Sequence, residues 1–198
     1  NFGIDARFFD DKVDMTVDFF HTKTTDIFQR RANIPDEGGL SNVLPYANIG
    51  SMKSWGMDGT LAYTHTFNKD MALTVRGNFT HAENEVIYWE QSGVNYPYQS
   101  NSGVPYKVQR GLIALGLFKD EDDIKSSPKQ TFMDNYRPGD IKYKDVNGDG
   151  KIDKDDVVPL NYSAVPFIQY GFALDWNYKA FRVSILFEGV SKVQYFQG

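Results

Sequence analysis

Residues 170–189 read YGFALDWNYKAFRVSILFEG, and the fold turns on how that stretch is read. Tyr170, Phe172, Leu174, Trp176 and Tyr178 alternate with Gly171, Ala173, Asp175 and Asn177. Past a short turn near Asn177 to Ala180, Phe181, Val183, Ile185 and Phe187 stand opposite Arg182 and Ser184. Successive side chains of a strand point to opposite faces, so this alternation gives each run one apolar and one polar face. Two such runs across a tight turn form an antiparallel hairpin.

Outward from that hairpin the same period recurs, and helical periodicity is scarce. Phe2, Ile4, Ala6 and Phe8 share a face. Val13, Met15, Val17 and Phe19 oppose Asp14, Thr16 and Asp18. Met57, Leu61, Tyr63 and Phe67 oppose Asp58, Thr60, Thr64 and Thr66, while Leu73, Val75 and Phe79 oppose Thr74, Arg76, Asn78 and Thr80. Six strands are expected.

The connections alternate in length. Tight turns fall at Asp10-Asp11-Lys12, at Asn68-Lys69-Asp70 and near Asn177 to Ala180; long stretches fall at about 29–54 and 90–166. An up-and-down meander then collects every short turn at one end and every long loop at the other, the signature of a transmembrane β-barrel. A soluble sandwich spreads its loops over both ends, and loops this long are uncommon in compact domains without a function. Aromatics near strand ends (Phe8, Phe9, Phe67, Trp176, Tyr178, Phe181) sit where a barrel places its interfacial girdle. The expected fold is all-β: an antiparallel up-and-down meander over 1–198, part of a large transmembrane barrel with two long extracellular loops. The plainer alternative is a half-buried antiparallel sheet, whose core also alternates.

Bulk properties narrow the function. The chain has 198 residues, net charge −5 and no cysteine, which excludes disulfides, thiolate metal sites and a cysteine nucleophile. An acidic balance argues against nucleic acid as partner. Aromatics are abundant, with 15 Phe, 12 Tyr and 3 Trp. No apolar run is long enough for a transmembrane helix. Strand-like alternation begins at once in NFGIDARFF, and the chain closes on FEGVSKVQYFQG without a cap, so a piece of a longer protein is expected.

Residues 145–156, DVNGDGKIDKDD, carry the densest chemistry. Calcium takes six to eight hard oxygens. Asp145, Asn147 and Asp149 stand at loop positions one, three and five, with Gly150 at the turn. The Lys151 carbonyl falls at position seven, Asp153 at nine and Asp156 at twelve, where a longer Glu is usual. Pro138-Gly139 and the alternation after them forbid an upstream helix, so a structural calcium site is expected rather than an opening switch. The alternative is a carboxylate-rich turn that binds nothing, since Asn-Gly and Asp-Gly are ordinary turn formers.

Other features are weaker. His21, His65 and His81 fall on separate strands and read as polar-face or girdle residues. Asp120 to Asp123 form a charge run in a solvated loop, with room for a short helical turn. Tyr88, Trp89, Tyr96 and Tyr98 either contact a ligand or partner, or pack a large loop against itself. No nucleophile elbow, phosphate-cradling loop or two-histidine helix is present, and a non-enzymatic protein is expected.

The order of segments resembles a known family. NIGSMKSWGMDGTLAYT (48–64) resembles a strand entry common in TonB-dependent outer-membrane transporters, with Asp58 where many have Glu. Residues 104–124, 137–160 and 166–190 resemble the late barrel of the SusC/RagA-like transporters of Bacteroidota, with Arg137 to Asp153 the most specific piece. The resemblance implies a 22-stranded barrel in the Gram-negative outer membrane, bounded by lipid. It also implies a SusD-like surface lipoprotein as partner, glycan or peptide as cargo, and energy from TonB through a plug region outside this sequence. The rival is a soluble, calcium-stabilised β-domain for carbohydrate binding or adhesion. It would need a second sheet to bury the apolar faces.

Overall fold

The computed structural model describes residues 1–33 and 44–194. Part of the expected first long loop and the terminal YFQG lie outside the described residues. Six strands form one antiparallel sheet: β1 (Phe2–Phe8), β2 (Val13–Arg30), β3 (Tyr46–Asn68), β4 (Met71–Tyr88), β11 (Ile168–Tyr178) and β12 (Phe181–Ser191). Their order is β1-β2-β3-β4-β11-β12, a meander that does not close on itself within this chain. Between β4 and β11 runs an excursion with small elements of its own. These are β5 (Val108–Gly111), β6 (Ala114–Leu117), α1 (Glu121–Ser126), β7 (Lys129–Gln130), β8 (Ile141–Tyr143), β9 (Lys151–Ile152) and β10 (Val158–Ser163). The charge run supplies the helical turn: Asp120 caps α1 by accepting from the Asp122 and Asp123 amides.

Register carries the face assignment across the sheet. Leu174 lies between Val75 and Ile185, and Phe172 between Gly77 and Phe187. Leu61 pairs with Met15 and Gly77, and Ile4 with Val17. This outward face is apolar and uncovered: Phe187 is 66% exposed, Leu61 53% and Phe172 45%. On the other face Asp175 is only 5% exposed and is bonded to Arg76, Arg182 and Ser184. Charge inside and hydrocarbon outside invert the soluble pattern. The buried apolar side chains among the described residues, Val86, Phe118, Ile152, Val158 and Phe167, all touch the excursion rather than line a sandwich core. No second sheet covers the outward face among the described residues, as the soluble rival would require.

The short turns lie at one end and are knitted together. Phe9, Asp10 and Asp11 all adopt positive φ, the Thr64 amide donates to the Lys12 carbonyl at 2.8 Å, and the Lys179 amide donates to the Asp70 carbonyl at 2.8 Å. At this end His65 lies between Tyr63 and Phe67 as a girdle residue. From Phe67 up to Met57 the strand covers about 33 Å, which at the usual ~40° tilt is ~25 Å, the height of a barrel's lipid band.

β3 does not stop there. Pairing continues through Trp55↔Glu83, Ser54↔Asn84 and Lys53↔Glu85, so the first long connection is 31–45 rather than 29–54. Above the apolar band neither face meets hydrocarbon lipid, so the apolar alternation ends while the backbone ladder goes on.

Candidate functional site

The excursion is anchored at its root by Glu90, 7% exposed. Its carboxylate accepts Arg31 Nε at 2.8 and 3.1 Å and the Ala32 amide at 2.9 Å, tying the start of one long connection to the start of the other. The Arg31 hydrogen bond, then the Ala32 amide, hold the Glu90 carboxyl below its ordinary range.

Residues 145–156 form a turn held by its own side chains. Asp145 accepts the Gly148 amide at 2.6 Å and the Gly150 amide at 2.9 Å, Asn147 Oδ1 accepts the Asp149 amide at 3.0 Å, and Asp149 Oδ1 the Lys151 amide at 3.0 Å. Gly148 and Gly150 stand at φ 76° and 85°, conformations that side chains with a Cβ rarely adopt. Upstream lies β8, not a helix, and downstream a single 3-10 turn at Lys154–Asp156, so the turn has no helix pair to open.

β9 pairs in parallel with β7: the Gly150 and Ile152 carbonyls accept from the Lys129 and Thr131 amides. Alternation along the strand therefore turns the Lys151 carbonyl the other way. Asp156, 0% exposed, spends one oxygen on the Val146 amide at 2.7 Å and the other on the Asp153 amide at 2.8 Å, closing the turn. Lys151 Nζ lies 3.0 Å from Asp153 and 3.7 Å from Asp149. The Asp155 amide first, and Lys151 second, lower the pKa of Asp153; Asp153 in turn raises that of Lys151.

Among the described residues no three His, Asp or Glu side chains converge as a metal centre. The donor set nonetheless fits a hard cation. Each carboxylate oxygen bonded to one amide keeps a second lone pair. By that count Asp145, Asn147, Asp149, Asp153, Asp156 and the Lys151 carbonyl are the oxygens that would hold calcium.

Two of the four aromatics singled out in the sequence belong to this turn. Tyr96 and Tyr98 stack with centroids 5.3 Å apart and planes 6° apart. Tyr98 Oη donates to the Asp155 carbonyl at 2.6 Å, and Asn147 Nδ2 donates to Tyr96 Oη at 3.2 Å. Burial raises the Tyr98 pKa, with Tyr96 and the neighbouring Asp residues adding to it. Trp89 instead faces Tyr106, and Tyr88 is exposed at the end of β4, opposite Ser51. Arg31, Glu90 and Arg110 were not singled out from sequence. Their partners are distant in the chain or are backbone carbonyls, and no local pattern marks either.

Comparison with known proteins agrees with this geometry. A family model described as TonB dependent receptor-like, beta-barrel, matches residues 1–196. TonB-dependent receptors P39 and P26 of Formosa agariphila are 29% and 27% identical, each over 94% of this chain. The chain spans only about a fifth of their length, 21% and 19% respectively. Among solved structures, the RagAB peptide importer in its open-open state superposes with TM-score 0.70 at 21% identity. The match covers 96% of this chain and 20% of that one. A second RagAB peptide transporter structure gives TM-score 0.68, also at 21% identity. The sheet with its hydrocarbon face outward is a stretch of outer-membrane barrel wall, and the chain belongs to the TonB-dependent receptor-like β-barrel family.

Proposed function

We propose that the chain is the late barrel of a SusC/RagA-like importer that takes up glycans or peptides without chemical conversion, together with a SusD-like surface lipoprotein. The observation that carries this reading is the inverted sheet, apolar outward and charged inward, with every short turn at one end and the long excursion at the other. Resemblance over 104–190 and the likeness to RagAB structures support the finer assignment. TonB would act through the plug region of the whole protein. The test uses the full-length protein in its native envelope: labelled oligopeptide or oligosaccharide uptake should need both TonB and a co-purifying lipoprotein. Uptake unaffected by loss of TonB would contradict it.

Calcium is the second element of the proposal. It would clip the excursion in one conformation through Asp145, Asn147, Asp149, Asp153, Asp156 and the Lys151 carbonyl, replacing the Lys151 ammonium as counter-charge. Asp156 also braces the backbone, accepting the Val146 and Asp153 amides.

A further inference from the structure

Near the root of the excursion, apart from the carboxylate-rich turn, lies a cavity of about 210 Å³. One wall is aliphatic, built by Val86, Val104 and Val108. Another is the Trp89–Tyr106 pair, with centroids 5.6 Å and planes 49° apart. The charged residues in the lining are Lys107 and Arg110, and no Asp or Glu joins them.

Arg110 is bound by neutral oxygens alone: the Tyr98 carbonyl at 3.2 Å, the Ser100 carbonyl at 2.6 Å and Asn101 Oδ1 at 3.3 Å. Among the described residues neither Arg110 nor Lys107 forms an ion pair. Burial lowers the Arg110 pKa, as expected of a guanidinium withdrawn from water without a counter-charge. Lys107 stands at φ 55°, a backbone conformation that persists in a non-glycine residue only where its surroundings hold it. The Lys107 side chain is exposed, with its ammonium 5.5 Å from the centroid of the Tyr106 ring. Exposed Lys107 and half-buried Arg110, neither with an ion-pair partner among the described residues, flank an apolar slot in a chain whose net charge is −5.

We propose that this cavity receives the carboxy-terminal residue of a peptide, its carboxylate between Lys107 and Arg110 and its apolar side chain against Val86, Val108 and Trp89. Charge complementarity selects an anion; Arg110 Nη2 is spent on Ser100 and Asn101, so the donors left for it are Arg110 Nε and the Lys107 ammonium. The volume admits about one residue. An acidic sugar brings the same carboxylate, but its hydroxyls need several polar partners, and Asn101 is the one neutral amide in the lining. The inference rests on the importer reading and names one subsite for its cargo.

The test is titration calorimetry on the full-length protein in detergent with acetyl-Ala-Ala-Phe as the free acid, the same peptide as its amide, and a glucuronate trisaccharide. The free acid should bind at least about tenfold tighter than the amide, the scale of one charge-assisted pair. Arg110→Gln should erase that ratio, but Arg110 also holds two backbone carbonyls. Lys107→Asn is therefore the cleaner variant, since Asn tolerates the left-handed backbone. It should narrow the acid-to-amide ratio several-fold, and Trp89→Phe should weaken both peptides. Equal binding of acid and amide, an unchanged ratio in Lys107→Asn, no binding of either peptide, or preference for the trisaccharide would each overturn the subsite. TonB-dependent uptake judges the importer reading separately. Uptake intact without acid-to-amide discrimination removes the cavity alone, and uptake without TonB removes the importer reading alone.

Discussion

Glu90 reaches across 59 positions of sequence to hold Arg31 at 2.8 Å, so both long connections leave the barrel from one ion pair. The carboxyl pKa is lowered in the fold, chiefly by the Arg31 hydrogen bond. A group with a depressed folded pKa contributes stability above its unfolded pKa, about 4.3, and loses it as pH falls through the folded value. Amide protection at residues 31–33 and 89–91, taken relative to the intrinsic exchange rate at each pH, should therefore be high at pH 7 and fall on acidification below about 4.3. Glu90→Gln should show that lower protection at pH 7 already, by roughly tenfold, with barrel assembly intact. Exchange in the variant equal to wild type would show that the pair anchors nothing.

The clip makes a second prediction. Calcium should slow amide exchange across residues 145–156, and a chelator should reverse it. Asp145→Ala combined with Asp149→Ala removes two ligands and three amide acceptor bonds, so the calcium dependence should vanish while the barrel still inserts. Calcium-dependent protection unchanged in the double variant would remove the metal from the account.

Tyr98→Phe keeps the ring stacked on Tyr96 but deletes the hydrogen bond to the Asp155 carbonyl. Exchange around Asp155 to Val157 should quicken by about fivefold, the effect of one neutral hydrogen bond, with little change at Glu90. An equal change at both places would mean that the excursion opens as one unit.

On the barrel wall, Leu174 lies between Val75 and Ile185 near the middle of the apolar band. Leu174→Lys should cost about 2–4 kcal/mol of barrel stability, the depth-dependent cost of a lysine facing lipid. Thr60→Lys on the inward face should cost far less. Urea unfolding of the full-length protein in vesicles compares the two, and equal losses would contradict the face assignment.

How much of this the sequence disclosed follows from where water and lipid lie. Along 170–187 a bilayer bounds one face only, so the alternation of Phe172 and Leu174 with Ala173 and Asp175 reads directly as a strand. Along 46–56 no lipid bounds either face and the excursion covers part of the strand, beside buried Gln29 and Val86, so Lys53, Ser54 and Trp55 carry no such period although they pair as regularly. The turn at 145–156 was legible because Asx side chains and glycines must fall at set offsets for the chain to reverse. That Tyr96 and Tyr98 brace it was not legible. Tyr98 meets a carbonyl 57 positions away, and a carbonyl has no signature in sequence.

The most direct test places single nitroxide-labelled cysteines along β11 from Tyr170 to Tyr178 in the full-length protein in vesicles and compares collision with oxygen and with a nickel chelate. Even-numbered positions should be open to oxygen and shielded from nickel, with odd-numbered positions showing the reverse bias, in strict period two. Even-numbered positions as open to nickel as their neighbours would mean that this face meets water, and the barrel wall would fall with it.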